Sequence, residues 1–424
     1  MLDLKFVKEN RDAVVENINN RYMEVDVDNI LKLYEKRSDL IQKTENLRQK
    51  RNENAKKMKG KLDPETRSLL IEEGKTLKAD ISLSQTELET VEKELFSEAG
   101  KIPNMAHPDA PLGKEDKDNT EIKRFKEPTE FSFNPKDHVE LGQSLDLIDF
   151  DSGTKVAGPK FYYLKNQAVY LELALVRYAL DIVQKNGFTP IITPDIAREE
   201  VLEGIGFNPR GEESNIYALE DTGTCLIGTA EITLGGIHAD SIIDPDSLPI
   251  KMSGHSHCFR REAGAAGQYS KGLYRVHQFT KVEMFVYCKP EDSERYHQEI
   301  LGIEEEIFQG LDIPYRVVDT CTGDLGAPAY RKYDLEAWMP GRGETGEWGE
   351  VTSASNCTDY QARRLGVRYK EDGKTHYLHM LNGTAVAVSR AIIAIMENFQ
   401  QEDGSIKIPA KLVPYTGFSV IKKP

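Results

Sequence analysis

Cysteine is scarce in this chain. Five residues in 424 (Cys225, Cys258, Cys288, Cys321 and Cys357) are widely spaced, and no two form a C-x-x-C pair. That excludes a disulfide framework and a cysteine-rich zinc site, and fits reduced thiols in a cytoplasmic protein. No apolar run approaches the roughly 18 residues that a membrane span requires. The opening MLDLKFVKENRDAVVEN is charged throughout and lacks the apolar stretch of a signal peptide. Basic residues are outnumbered, 55 Lys and Arg against 70 Asp and Glu, for a net charge of −15. Such a surface is not built to coat DNA or an anionic membrane, although it leaves room for a local basic patch. Signatures of common nucleotide and hydrolase sites (GxxxxGK[ST], GxGxxG after a strand, HExxH, GxSxG) are all absent.

Helix breakers are nearly missing from the first hundred residues, which hold one proline (Pro64) and two glycines (Gly60, Gly74) before Gly100. Long helices follow from that. Apolar residues recur at seven-residue steps, with Leu33, Leu40 and Leu47 in one column and Tyr34 and Ile41 beside it. After Pro64 the repeat resumes in Leu70, Leu77 and Val91, offset by Ile81, Leu88 and Leu95, with Gly74 and Ser84 interrupting the columns. Two heptad seams separated by KGKLDPET predict an antiparallel helical hairpin, each arm burying its seam on the other. The stretch RQKRNENAKKMKGK holds seven basic residues, Arg48, Lys50, Arg51, Lys56, Lys57, Lys59 and Lys61, and one acid, Glu53. This is either a solvated hairpin tip or a phosphate-contacting one. Without Phe, Tyr or Trp it offers no base stacking, so shape and backbone recognition of folded RNA fits better than single-strand capture.

At 424 residues the chain exceeds one ordinary core, and its texture changes twice. Residues 106–135, rich in Pro, Asp and Lys, have the composition of a linker between an arm at 1–105 and a larger domain at 136–424. In that domain strand-like runs (TPIITP, RVHQFTKVEMFVYC, YRVVDT, WGEVTSASN) mix with helical ones (NQAVYLELALVRYALDIVQKNG, PEDSERYHQEILGIEEEIFQGLDI, SRAIIAIMENFQQ). The strands follow one another without regular βα alternation. The fold class is therefore α+β, an antiparallel sheet covered by helices. No internal repeat or low-complexity tract is visible.

Burying a charge is costly unless it is paired or meets a charged ligand, so charged residues inside strand-like segments mark candidate sites. Arg260, Arg261 and Glu262 end one apolar run, and a following strand carries His277, Phe279, Lys281 and Glu283 on one face by period-two alternation. A hairpin with a polar outer face would read the same way. Glu231 sits in a small-residue turn, GTAEI, and Glu350 with Ser353 offers a weak pair of oxygen donors for Mg²⁺. Arg390 stands alone among small and aliphatic residues of an apolar helix, where it requires an anion or an aromatic face; a nucleotide supplies both.

These segments resemble a known family. FRREAG…RVHQFTKVEMF resembles motif 2 of class II aminoacyl-tRNA synthetases, NGTAVAVSRAIIAIMENFQ resembles motif 3, and Gly187–Pro194 resembles motif 1. GTAEI, DTCTGDLGAPAYRKYDLEAWMPG and EVTSASNCTDYQARR are similar to one branch, the seryl-tRNA synthetases, which also begin with a long helical hairpin. The resemblance spans the whole chain. It implies an N-terminal coiled-coil hairpin followed by a class II catalytic domain, and a ligase that makes seryl-adenylate from L-serine and ATP with Mg²⁺ and no zinc. Transfer to the 3′ end of tRNA(Ser), and possibly tRNA(Sec), would follow.

By that resemblance Arg260 and Arg390 are catalytic. The ATP site comprises Arg260, Arg261, Glu262, Val276, Phe279, the run Glu350, Val351, Thr352 and Ser353, and Arg390. Glu262 is implied to meet the adenine amino group and Phe279 to stack on the ring. Glu350 and Ser353 would hold Mg²⁺. Serine would meet Thr229, Ala230, Glu231, Arg260, Glu283 and Thr384, with Glu231 on the α-ammonium and Glu283 and Thr384 at the hydroxyl. The seven basic tip residues would contact tRNA, and motif 1 implies a homodimer. The pattern departs from the family at Ala385 and Ser389, where glycine is usual, and at Thr352, where serine is usual. An amino-acid ligase charging a carrier protein would lack the arm. An RNA-binding paralogue without catalysis would have lost charges that Arg260, Glu262, Glu283 and Arg390 retain.

Overall fold

A computed structural model describes residues 1–208, 214–263 and 269–423. The chain forms two compact units, Met1–Pro103 and Asn104–Pro424.

In the first unit two short helices, α1 (Leu4–Glu9) and α2 (Arg11–Asn20), precede the hairpin of α3 (Val27–Lys57) and α4 (Pro64–Ala99). Local chemistry sets the ends. The Asp26 carboxylate caps α3 by accepting from the Asn29 N–H, and Asp63 caps α4 by accepting from the Thr66 N–H, with Pro64 opening the helix. At about 1.5 Å per residue α3 is roughly 46 Å long. The heptad columns are the seam: Leu33, Leu40, Leu77, Ile81, Val91 and Leu95 are buried. The two interruptions have a use. Thr44 and Ser84 hydroxyls meet at 2.8 Å inside the seam, and Asn54 donates to the Leu70 carbonyl (3.1 Å) and to Glu73 (2.7 Å). At Gly74 a Cβ would stand 3.4 Å from Asn54 Oδ1. Polar contacts across a seam fix its register, since sliding by one heptad would strand them.

The second unit is built on an eight-stranded sheet: β1 (Thr120–Phe125), β2 (Thr189–Ile192), β3 (Ile250–Phe259), β4 (Gln278–Cys288), β5 (Tyr315–Asp319), β6 (Arg331–Met339), β7 (Glu347–Asn356) and β8 (His379–Ala387). Spatial order is β1-β5-β6-β7-β8-β4-β3-β2. Every pairing is antiparallel except that of β2 with β3. The stretch expected from composition to be a linker, 106–135, instead supplies the edge strand β1, paired with β5. Its side chains are mostly exposed, so it lacks the alternation that betrays a strand packed on a core.

Three helices, α5 (Gln167–Lys185), α7 (Ser293–Gly310) and α9 (Val388–Asn398), share one core with the sheet. The other elements that matter here are α6 (Ala230–Gly236) and α8 (Tyr360–Leu365), which belong to a second, smaller core. Strand β4 shows how the two faces divide. Val282, Met284 and Val286 join the first core, whereas Phe285 and Tyr287 join the second. Phe279 and Lys281 line an open cleft. Beneath that cleft Gly383 is tightly placed, because a Cβ there would lie 2.2 Å from Ile300 Cγ2 on α7. Gly383→Ala is expected to lower the stability of this unit by about 1–3 kcal/mol through overpacking, read as a lower midpoint in denaturant unfolding.

Candidate active site

The cleft is lined by Arg260, Glu262, Tyr274, Arg275, Val276, Phe279, Lys281, the run Glu350–Ser353, Thr384, Ala387, Ser389 and Arg390. Strand alternation alone would not bring these together; two β-bulges do. In β7 the register steps from Leu335↔Thr352 to Glu336↔Glu350, leaving Val351 as the extra residue. The bulge reverses the phase, so Glu350 and Ser353 project to one face although they are three residues apart. Thr352 projects to the other and donates its hydroxyl to Glu304 of α7 at 2.8 Å. In β8 the register steps from Val282↔Val386 to Glu283↔Thr384, leaving Ala385 as the extra residue. Thr384 and Ala387 then share the face of Glu283 and Lys281. The departures at Ala385 and Thr352 thus lie at a buried bulge and on a side chain turned away from the cleft.

Arg260 follows β3 directly and is fixed by the backbone pairing of its N–H with His277 O at 2.9 Å. The His277 ring N–H donates to the Arg260 carbonyl at 2.8 Å. Its guanidinium donates to Gly228 O at 3.2 Å and lies 5.3 Å from the centre of the Phe279 ring. Glu262 takes a left-handed backbone conformation, φ 49°, rare for a residue with a side chain. It accepts from Arg275 at 3.0 Å. Arg261 is exposed and is not among the cleft-lining residues.

Across the cleft Arg390, the isolated cation of α9, stacks 4.7 Å above Tyr274 and donates to the Glu350 carbonyl at 2.9 Å. Its Nη1 is 3.3 Å from Glu350 Oε2. Burial pushes the Glu350 carboxyl up, but Arg390, Lys332 and Arg260 outweigh it and hold the group below its ordinary value. A carboxylate and a hydroxyl on one face form an all-oxygen donor pair of the kind a hard divalent cation takes.

A second group of polar residues lies next to Arg260. Glu283 is buried, pairs with Lys281 at 2.5 Å and accepts from Thr384 at 3.1 Å. Thr229 caps α6 by accepting from the Glu231 N–H at 3.2 Å, and Ala230 is buried in the first turn. Glu231 Oε1 accepts from Gln361 (2.7 Å) and Asn382 (2.9 Å). Burial, and after it the nearby Glu283, raises the Glu231 carboxyl to about 7.

Tyr274, Arg275, Gln361 and Asn382 were not singled out as site residues from sequence, whereas Lys281, read there on one face with Phe279 and Glu283, does line the cleft. The first two sit just ahead of β4, and Asn382 shares the face of Thr384 by alternation, so a pattern could have found them. Gln361 has no such signal, because it reaches Glu231 from a position 130 residues away. The seven basic tip residues are all exposed on the first unit, and none joins an ion pair among the described residues.

Comparison with known proteins agrees over the full length. A family model for the seryl-tRNA synthetase N-terminal domain matches residues 1–106, and one for the tRNA synthetase class II core domain (G, H, P, S and T) matches 217–399. A serine–tRNA ligase from Treponema denticola is 65% identical over 99% of this chain and 100% of its own. Among solved structures, the seryl-tRNA synthetase from Pyrococcus horikoshii complexed with ATP superposes with TM-score 0.90 at 42% identity, covering 100% of both chains. A cytoplasmic serine–tRNA ligase from Naegleria fowleri in complex with AMP gives TM-score 0.87 at 32% identity, covering 100% of this chain and 99% of that one. With both halves matched in order and relatives aligned from end to end, this chain belongs to the seryl-tRNA synthetase family of class II aminoacyl-tRNA synthetases.

Proposed function

We propose that the chain activates L-serine with ATP, releasing pyrophosphate, and transfers the seryl group from seryl-adenylate to the 3′-terminal adenosine of tRNA(Ser). The observation that carries this reading is the adjacency of two compartments. One holds Arg260, Phe279, Glu350 and Arg390 around an open cleft; the other holds a carboxylate, Glu231, and a carboxylate–hydroxyl pair, Glu283 with Thr384. The first suits a nucleotide and the second a small amino acid bearing a hydroxyl.

In this reading Arg260 meets the α-phosphate. Its guanidinium is held before substrate arrives, so it stabilises the charge that grows as the serine carboxylate attacks phosphorus. Phe279 offers a face for the adenine ring, and Glu262, oriented by Arg275, accepts from the exocyclic amine. Arg390 covers the opposite side of the nucleotide. Glu350 and Ser353 are the residues that would hold Mg²⁺, which would supply charge neutralisation at the phosphates. Glu231 pairs with the serine ammonium, and Glu283 with Thr384 holds the hydroxyl. The test is amino-acid-dependent ATP–pyrophosphate exchange, expected with serine and not with alanine or glycine, followed by charging of tRNA. Exchange without tRNA charging would favour a carrier-protein ligase instead.

The arm tip is the surface for tRNA(Ser), and the same tip would serve tRNA(Sec). Replacing Lys56, Lys57 and Lys59 by Gln is expected to weaken tRNA binding and to flatten its salt dependence by about two to three units of slope, since each phosphate contact contributes about 0.7–0.9. Serine-dependent exchange should be unchanged in that variant. A loss of exchange would show that these lysines act on the catalytic unit.

A homodimer is supported by the apolar surface left open on α5 and β2, where Tyr170, Leu173 and Ile192 are 59%, 61% and 83% exposed. Sedimentation at micromolar concentration tests it, a monomer counting against. Among the described residues no helix is long and apolar enough to cross a membrane, in keeping with work in the cytoplasm.

A further inference from the structure

Gln361 lies on α8, a six-residue helix with no lining role in the cleft, and its side chain is fully buried. Its amide nitrogen donates twice, to the Ile205 carbonyl at 3.0 Å and to Glu231 Oε1 at 2.7 Å. Ile205 is the last residue of the short helix Glu199–Ile205, so its carbonyl is one that the helix itself leaves unpaired. Two acceptors on one side fix the amide's orientation, because the flipped rotamer would set an oxygen against both. The amide oxygen consequently has no partner among the described residues, a cost accepted for that arrangement. Asn382 donates to the same carboxylate oxygen from β8. Oε1 of Glu231 is thus committed to two protein amides, while Oε2 has no hydrogen bond among the described residues.

We propose that Gln361 is a positioning residue for amino-acid recognition, holding one oxygen of Glu231 so that the other is presented to the α-ammonium of the incoming amino acid. The proposal rests on Glu231 being the ammonium partner. A neutral donor is required at this place. Lysine would neutralise Glu231 permanently, as Lys281 does Glu283, and a carboxylate would repel it. The arrangement also couples capture of the amino acid to proton release. The charged groups facing Glu231 are Glu283 and Lys281 from β4 and Arg260 beyond β3; the helix Glu199–Ile205, α8 and β8 face it with the neutral Ile205 carbonyl, Gln361 and Asn382. Burial and Glu283 raise its carboxyl to about 7, while the Gln361 hydrogen bond, Lys281 and Arg260 pull it down. Near neutral pH the empty site is partly protonated, and only the carboxylate binds an ammonium. Removing the Gln361 donor therefore raises the carboxyl further, and the resulting loss of affinity shrinks as pH rises.

The test compares Gln361→Met and Glu231→Gln in the full chain by serine-dependent ATP–pyrophosphate exchange between pH 6 and 9. For Gln361→Met the serine KM is expected to rise about 10-fold at pH 7, the scale of a hydrogen bond to a charged group. That defect should narrow to about 3-fold or less at pH 8.5, with kcat within about 2-fold and the ATP KM unchanged. KM is read only on folded enzyme, so partial unfolding cannot imitate this result. An unchanged serine KM overturns the proposal, as does a loss equal at every pH or shared by kcat and ATP. Glu231→Gln reports separately on the underlying reading. If it leaves the serine KM unchanged, Glu231 is not the ammonium partner, whatever Gln361→Met shows.

Discussion

Arg260→Ala should reduce serine-dependent ATP–pyrophosphate exchange by about 10³-fold or more while leaving tRNA binding within about 2-fold of the parent. The size follows from how this cation is held. Its backbone is locked into the β3–β4 ladder, its carbonyl is fixed by His277, and its guanidinium is braced by the Gly228 carbonyl and the Phe279 face. A preorganised donor stabilises developing phosphate charge without reorganising, and alanine removes the whole effect. Arg260→Lys should recover little, because a single ammonium cannot reproduce the planar fork or its stacking on Phe279. Exchange rates and filter binding of labelled tRNA measure the two halves separately. If the alanine variant exchanged at a tenth of the parent rate or better, or lost tRNA binding, the assignment of Arg260 to the α-phosphate would fail.

Glu283→Ala should collapse the preference for serine over alanine, from about 10⁴-fold or more toward about 10-fold. A site built to hydrogen-bond a hydroxyl rejects the analogue without it mainly because buried polar groups would go unpaired. Here those groups are Glu283 and Thr384, 3.1 Å apart and both buried. Glu283 also neutralises the buried Lys281. Its loss leaves an ammonium without a partner, at a cost of about 3–5 kcal/mol in stability. The two effects are separable: denaturant unfolding reads the second, whereas the ratio of exchange with serine to exchange with alanine does not depend on the folded fraction. A variant that kept the parent's selectivity would move the hydroxyl site elsewhere. Glu283→Gln is the informative companion, since it keeps an acceptor for Thr384 yet leaves Lys281 uncompensated.

Much of the architecture is legible in local pattern. The seams of α3 and α4 follow from apolar residues seven apart, and their capping aspartates sit where the composition changes. The helices α5, α7 and α9 and the strands β2, β4, β5 and β7 lie, to within one residue, in runs whose period announces them. The edge strand β1 does not announce itself, because an exposed strand has no face that must be apolar. Within the site, Arg260, Glu262, Phe279, Glu350 and Arg390 are conspicuous as charges or aromatics in segments that are otherwise buried, and they do line one cleft. Arg261 shares that look without sharing the place, since two adjacent residues at a strand end point in different directions.

The sequence by itself determines most of the long helices and the strands that pack on the core, which residues carry charge into the interior, and that a long hairpin with a basic tip precedes an α+β unit. These are local properties, set by side-chain period and capping within a few residues of chain. Only the tertiary structure decides the phase of β7 and β8. A bulge is a mismatch between two paired strands, so the extra residues at Val351 and Ala385 exist only relative to β6 and β4. It alone turns Glu350 and Ser353, and likewise Glu283 and Thr384, toward a common space. The same holds for the clamp on Glu231, whose donors arrive from 130 and 151 residues away. Nothing in the local pattern of any of the three segments requires the others; packing of the second core against the sheet brings them within hydrogen-bonding distance.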